Sequence, residues 1–157
     1  MPVKEVFTPY ESHVLWAAIQ IEGAALREMK TTPAEFCTKI GELVFRSKRG
    51  MDIHRLLIVG DDIDVYNFHD VMWAFTTRCR PGQHEYLFED VRAFPLTPYM
   101  SQGPEPKLRG GKVVSDCLLP VEYTTGPNWE TADFEHAYPK SVEAKVLRDW
   151  KLMGFEA

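Results

Sequence analysis

The sequence predicts an α/β fold, with helices layered on a small, mostly parallel sheet. Three observations lead there. Residues 55–59 (Arg-Leu-Leu-Ile-Val) form an apolar run followed by Gly60 and Asp61-Asp62-Ile63-Asp64, the pattern of a strand buried on both faces. A helical pattern opens at Asp70, so strand, acidic turn and helix read as one βα unit. Helix-like segments ahead of that strand supply the crossover that a parallel neighbour needs.

In chain order, residues 3–8 (Val-Lys-Glu-Val-Phe-Thr) alternate weakly and fit a short strand, and Pro9 with Glu11-Ser12 punctuates the chain. Val14, Leu15, Ala18, Ile19, Ala25, Leu26 and Met29 recur at three- and four-residue spacing, which predicts a helix over 11–29. Thr32-Pro33-Ala34-Glu35 is a capping box with proline at the first helical position. Phe36, Ile40, Leu43 and Val44 line the helix that follows, and Gly50 stands where a left-handed stop is expected. A helix from Asp70 runs to Cys79, before Pro81-Gly82. From Arg80 to Gly111 the density of Pro and Gly predicts mostly loop, and such a long irregular stretch is usually functional or covered. Lys112–Asp116 reads as a third strand. After Thr125-Gly126-Pro127 come Trp129, Phe134 and Tyr138. A final helix enters at Pro139, with Val142, Val146, Trp150 and Met153 on one stripe.

The chain has 157 residues, one domain's length, and 45% of them are hydrophobic, enough for a real core. With 18 Lys and Arg against 23 Asp and Glu, the net charge is −5, which argues against a general nucleic-acid or anionic-membrane binder. No apolar run approaches the roughly 20 residues of a bilayer span, and Met1–Val6 lacks a secretory-signal pattern. Cys37, Cys79 and Cys117 form neither a CxxC pair nor an even-numbered framework, so a reduced, cytoplasmic setting is expected.

Local motifs are sparse. Asp61, Asp62 and Asp64 end a strand where α/β proteins place ligands, but they lack the pattern of a Ca²⁺ loop, and aspartate also favours turns and caps. Gly110-Gly111-Lys112 lacks the first glycine and the hydroxyl of a phosphate loop. The five histidines show no zinc spacing, and no serine sits in a GxSxG elbow. Lys48 and Arg49 either complement the negative pole of a helix end or meet a phosphate. Phe88, Phe94, Pro95, Leu96, Pro98, Tyr99 and Met100 crowd the irregular stretch with apolar groups, which either a core or an apolar ligand or partner must cover.

Longer stretches carry a resemblance. His54–Tyr66, Asp70–Gly82, Leu87–Leu96, Gly110–Asp116 and Glu122–Gly126 are similar to the C-terminal domain of the UbiD family of decarboxylases, and within it to the fungal ferulic acid (phenylacrylic acid) branch. The resemblance implies a three-layer αβα sandwich over 1–157 with a protruding C-terminal helix, about 139–154, that serves dimerisation. It implies a substrate-capping role in non-oxidative decarboxylation of aromatic or α,β-unsaturated carboxylic acids. The cofactors would be prenylated FMN, Mn²⁺ and K⁺, held mainly by an N-terminal part that this sequence lacks, as are the acid–base Arg and Glu residues. No residue of this chain is therefore expected to be catalytic, and the chain alone is expected to be inactive. Lys48 matches a lysine that touches the cofactor phosphate, and Arg78 a residue whose main-chain carbonyl lies at a K⁺ site. Met51, His54, Phe94 and Leu96 match the wall of the substrate pocket, although an aromatic residue is expected where Met51 stands. The partner would be a second copy or an N-terminal UbiD-type domain. The alternatives are a freestanding non-catalytic module and one subunit of a split enzyme.

Overall fold

A computed structural model describes residues 1–102, 108–124 and 138–155. Two compact units divide the chain, 1–125 and 126–157. The first holds a five-stranded sheet in the order β1-β2-β3-β5-β4, made of β1 (Val3–Phe7), β2 (Trp16–Ile21), β3 (Arg55–Val59), β4 (Glu85–Arg92) and β5 (Arg109–Asp116). The centre is parallel, with Ala18 opposite Leu57 and Leu56 opposite Val114. Each outer strand runs antiparallel to its neighbour.

Two apolar layers account for the continuous run in β3. Leu56 and Ile58 join Ala17, Ile19 and Val114 on one face. There they meet Leu26 of α1 (Gly23–Glu28) and Phe36, Ile40 and Phe45 of α2 (Pro33–Phe45). Leu57 and Val59 point the other way, with Ala18, onto Val71 and Ala74 of α3 (Phe68–Arg78). A strand covered on both sides has no polar face, which is why its sequence does not alternate. The expected three-layer sandwich is present.

Capping follows the sequence closely. Thr32 Oγ1 accepts from the Glu35 amide at 3.3 Å and Glu35 Oε2 accepts from the Thr32 amide at 2.9 Å, closing the capping box behind Pro33. Asn67 caps α3 by accepting from His69 N–H at 3.1 Å, so the helix starts at Phe68, two residues upstream of Asp70, where the apolar pattern opens. In the second unit, α5 (Lys140–Asp149) starts directly after Pro139, and Trp150 stacks on Phe155 at 4.5 Å.

Three expectations are corrected. The helix expected over 11–29 is a 3₁₀ turn at Tyr10–Ser12, strand β2 and only a short α1. Leu15–Ile21 is apolar all round apart from Gln20, so three- and four-residue spacings occur by chance in a strand buried on both faces. Among its described residues Arg80–Gly111 is not mostly loop, because it holds β4, the short helix α4 (Pro98–Ser101) and the start of β5. Strand β4 is an outer strand with Leu87 exposed and charges between its apolar residues; Pro81 lies before it and Pro95 and Pro98 after it, so no proline interrupts it. Gly50 is not a left-handed stop, since positive φ occurs at Gly82 and Gly154 among the described glycines. A Cβ on Gly50 would stand 1.9 Å from the Val44 carbonyl, so the need is for space. Gly103, Pro104, Pro106, Trp129 and Phe134 lie outside the described residues.

Candidate functional site

The chain leaves α2 through a tight turn built by one hydroxyl. Ser47 Oγ donates to the Val44 carbonyl at 2.8 Å and accepts from Gly50 N–H at 2.9 Å, so Lys48 and Arg49 project into solvent. Beneath them lies Lys112 of β5, 1% exposed, whose Nζ donates to the carbonyls of Gly50 and Met51 at 2.8 Å each. Its ammonium also sits 5.3 Å from the centre of the Phe45 ring. Burial drives the Lys112 pKa down from 10.5 to about 8, with the Asp52 charge pulling the other way. One carboxylate oxygen of Asp52, Oδ1, is buried without a hydrogen-bond partner among the described residues.

A measurable consequence follows for Lys112. Between pH 8 and 10.5 the unfolded chain holds this proton and the folded chain does not, so this group makes stability rise with pH, by at most about 1.4 kcal/mol per pH unit. Urea unfolding across that window should show a shallower rise for Lys112→Met than for the parent chain. Equal pH dependence in the two would contradict the buried-ammonium account.

His54 stands where β3 begins. Its N–H donates to the Leu15 carbonyl at 2.7 Å and its carbonyl accepts from Val113 N–H at 3.1 Å, so the turn just ahead of β2 and strand β5 fix its backbone from both sides. The imidazole reaches the segment after β4, accepting at Nε2 from the Phe94 amide at 3.2 Å and bonding the Tyr99 hydroxyl at Nδ1. Burial first, and then the Lys112 charge, lower its pKa, against Asp52, which raises it.

Residues 93–100 form a seated flap. Ala93, Thr97 and Met100 are buried, and Thr97 Oγ1 donates to the Phe94 carbonyl at 2.9 Å. Phe94 is half-buried, whereas Leu96 is 74% exposed. Of the expected pocket residues, His54 and Phe94 are brought into direct contact, and Met51 is tied to the same strand by Lys112. An apolar cavity of about 350 Å³ lies elsewhere, lined by Val3, Val6, Leu43 and Val44 with the Arg49–Gly50 turn at one end. None of His54, Phe94 or Leu96 lines it, so it is separate from the flap.

Arg78 belongs to a different layer, on α3. Its guanidinium grips Asp62 at 3.1 and 2.5 Å and covers the Trp73 ring at 4.9 Å. The main-chain carbonyl meets His84 Nδ1 at 3.0 Å, which uses one of the two lone pairs of that oxygen. Asp61 is held by Lys4 at 3.1 Å and by the Gly23 amide at 2.9 Å, while Asp64 accepts from Tyr66 N–H at 2.9 Å. The acidic turn is thus used up structurally. Among the described residues no group of three or more His, Cys, Asp or Glu stands ready for Mn²⁺.

A phosphate does fit at Lys48, an exposed cation beside Arg49 on a turn braced from below. Lys112 is the residue that sequence reasoning missed. Its signal in the sequence is a lone lysine directly ahead of Val113-Val114 at the start of a buried run, next to the Gly110-Gly111 pair that draws attention to a phosphate loop instead.

Comparison with known proteins agrees with this architecture. The family model for the 3-octaprenyl-4-hydroxybenzoate carboxy-lyase C-terminal domain matches residues 1–117. Ferulic acid decarboxylase 1 of Saccharomyces cerevisiae is 40% identical over 157 residues, covering 99% of this chain and 31% of that protein. The vanillic acid decarboxylase of Sedimentibacter hydroxybenzoicus in closed form superposes with a TM-score of 0.66 at 21% identity, over 97% of this chain and 29% of that one. The UbiD-class enzyme HmfF from Pelotomaculum thermopropionicum in complex with FMN gives 0.60 at 18% identity, over 84% of this chain and 26% of that one. At such identities the two structures speak for the fold alone. The chain spans under a third of the length of the curated yeast relative. With the family match running from β1 through β5, this chain belongs to the UbiD C-terminal domain family.

Proposed function

We propose that this chain is the substrate-capping and dimerisation domain of a prenylated-FMN-dependent, non-oxidative decarboxylase of aromatic or α,β-unsaturated carboxylic acids. The observation that carries this reading is the Phe94–Leu96 flap, which presents apolar side chains outward while its own base is hydrogen-bonded and buried. A side chain such as Leu96, left 74% exposed on a seated segment, suits a wall that another part of the enzyme completes. The yeast relative is named for ferulic acid, and a UbiD-class neighbour was solved with FMN.

Prenylated FMN, when bound, supplies the electron sink for loss of CO₂. This chain's residues bind, orient and exclude water. Lys48 holds the phosphate with a charge-assisted hydrogen bond. Phe94, Leu96 and Met51 press on the hydrocarbon part of the acid and keep water from the reacting carbons. Proton transfer falls to groups outside this chain, and so do Mn²⁺ and K⁺. The α5 unit suits contact with a second copy, because Val142, Leu147 and Met153 are exposed apolar residues on or just after that helix.

A chimera tests this. Joined to the remainder of the yeast ferulic acid decarboxylase in place of the matching stretch, this chain should retain flavin. Lys48→Ala in that chimera should weaken flavin retention by about 1.5–3 kcal/mol, read as flavin lost on gel filtration. Unchanged occupancy would show that Lys48 only ends a helix.

A further inference from the structure

We infer that His54 is the latch of the Phe94–Leu96 wall, a positioning residue whose uncharged imidazole fastens that wall to the sheet. For its effect on the substrate the inference rests on the decarboxylase reading, but the latch itself does not. The argument starts from the backbone. Both main-chain groups of His54 are held, by Leu15 of the preceding turn and Val113 of β5, so the ring stands on a fixed post. A backbone amide can only donate, and therefore Nε2, which receives Phe94 N–H at 3.2 Å, must present its lone pair. The ring proton then lies on Nδ1 and is donated to the Tyr99 hydroxyl.

One imidazole thus grips both ends of the flap. Between its two grips, Thr97 ties back to the Phe94 carbonyl at 2.9 Å and the Met100 amide to the Thr97 carbonyl at 2.9 Å, so the segment moves as one piece. Freeing Phe94 frees the wall. Protonating His54 does this, because it places a second N–H on Nε2, facing the Phe94 N–H donor to donor. The charged and titratable groups that bear on the ring are Lys112 from β5, Asp52 from the preceding turn and Tyr99 from α4. Lys112 and burial favour the neutral, latched ring, and Asp52 opposes them. The wall is therefore fastened at neutral pH and released only on the acid side of histidine's ordinary 6.5.

The test uses the 157-residue chain, labelled with ¹⁵N. Long-range proton–nitrogen correlations should show His54 as the Nδ1–H tautomer at neutral pH. On acidification the Phe94 amide should shift and lose exchange protection with the same midpoint as the His54 ring, below 6.5, while the Leu57 amide in β3 stays unmoved. His54→Phe removes both grips, and should lower Phe94 protection about two- to tenfold and abolish its pH dependence. Tyr99→Phe removes one grip and should leave the Phe94 titration in place, which keeps the inference testable if His54→Phe fails to fold. An Nε2–H tautomer, or a Phe94 amide indifferent to His54 protonation, would overturn it. Because these readouts need neither flavin nor substrate, an inert chimera would count against the decarboxylase reading and leave the latch standing.

Discussion

Phe45→Ala should cost the first unit about 3–5 kcal/mol of stability. Phe45 is 1% exposed at the last turn of α2, edge-on to Phe88 at 5.2 Å and 73°, and its face lies under the Lys112 ammonium. Truncation removes a buried ring, leaves a cavity and strips the cation of its aromatic partner. Backfilling by Phe88 is limited, because that ring already fills the space over Gly41, where a Cβ would stand 2.2 Å away. Small domains carry only about 5–15 kcal/mol in total, so the variant should unfold at a markedly lower urea concentration. Leu96→Ala is the matching control. With Leu96 74% exposed, its removal should change stability by no more than about 0.5 kcal/mol. A Phe45→Ala cost below about 1 kcal/mol, or a Leu96→Ala cost equal to it, would reverse the division between core and wall.

That division was partly legible in the sequence. Capping boxes and apolar runs are local, so the start of α2 at Thr32-Pro33 and strand β3 could be read directly. Strand β2 could not, because Trp16–Ile21 is covered on both faces and shows no period of its own. Its identity comes from lying beside β3, which is a property of the fold. Strand β4 hid among prolines and glycines for the opposite reason, as an outer strand with mixed polarity beside an irregular segment.

For the site, residue types were visible and their joining was not. His54 and Phe94 are 40 positions apart, and their bond exists only because β3, β4 and β5 share one sheet. Lys112 lies 62 positions from Gly50 and reaches it across the same sheet. No spacing rule covers such pairs.

The second large effect concerns turnover itself. The roles proposed for this chain are a wall at Phe94 and Leu96, a phosphate contact at Lys48 and a latch at His54, none of which transfers a proton to the substrate. General acid–base catalysis commonly supplies about 10²–10⁴-fold in rate, and loss of substrate positioning adds to the deficit. On the proposed reading the acid–base groups lie outside this chain, which by itself should fall below detection. Joining the remainder of a homologous decarboxylase restores both contributions at once, so the contrast is all or none.

The most direct measurement is styrene release from cinnamate with prenylated FMN, run in parallel on the 157-residue chain and on its chimera with the remainder of the yeast ferulic acid decarboxylase. The account predicts turnover by the chimera and none by the chain alone. Turnover by the chain alone, or a folded chimera that holds flavin and stays inert, would contradict it.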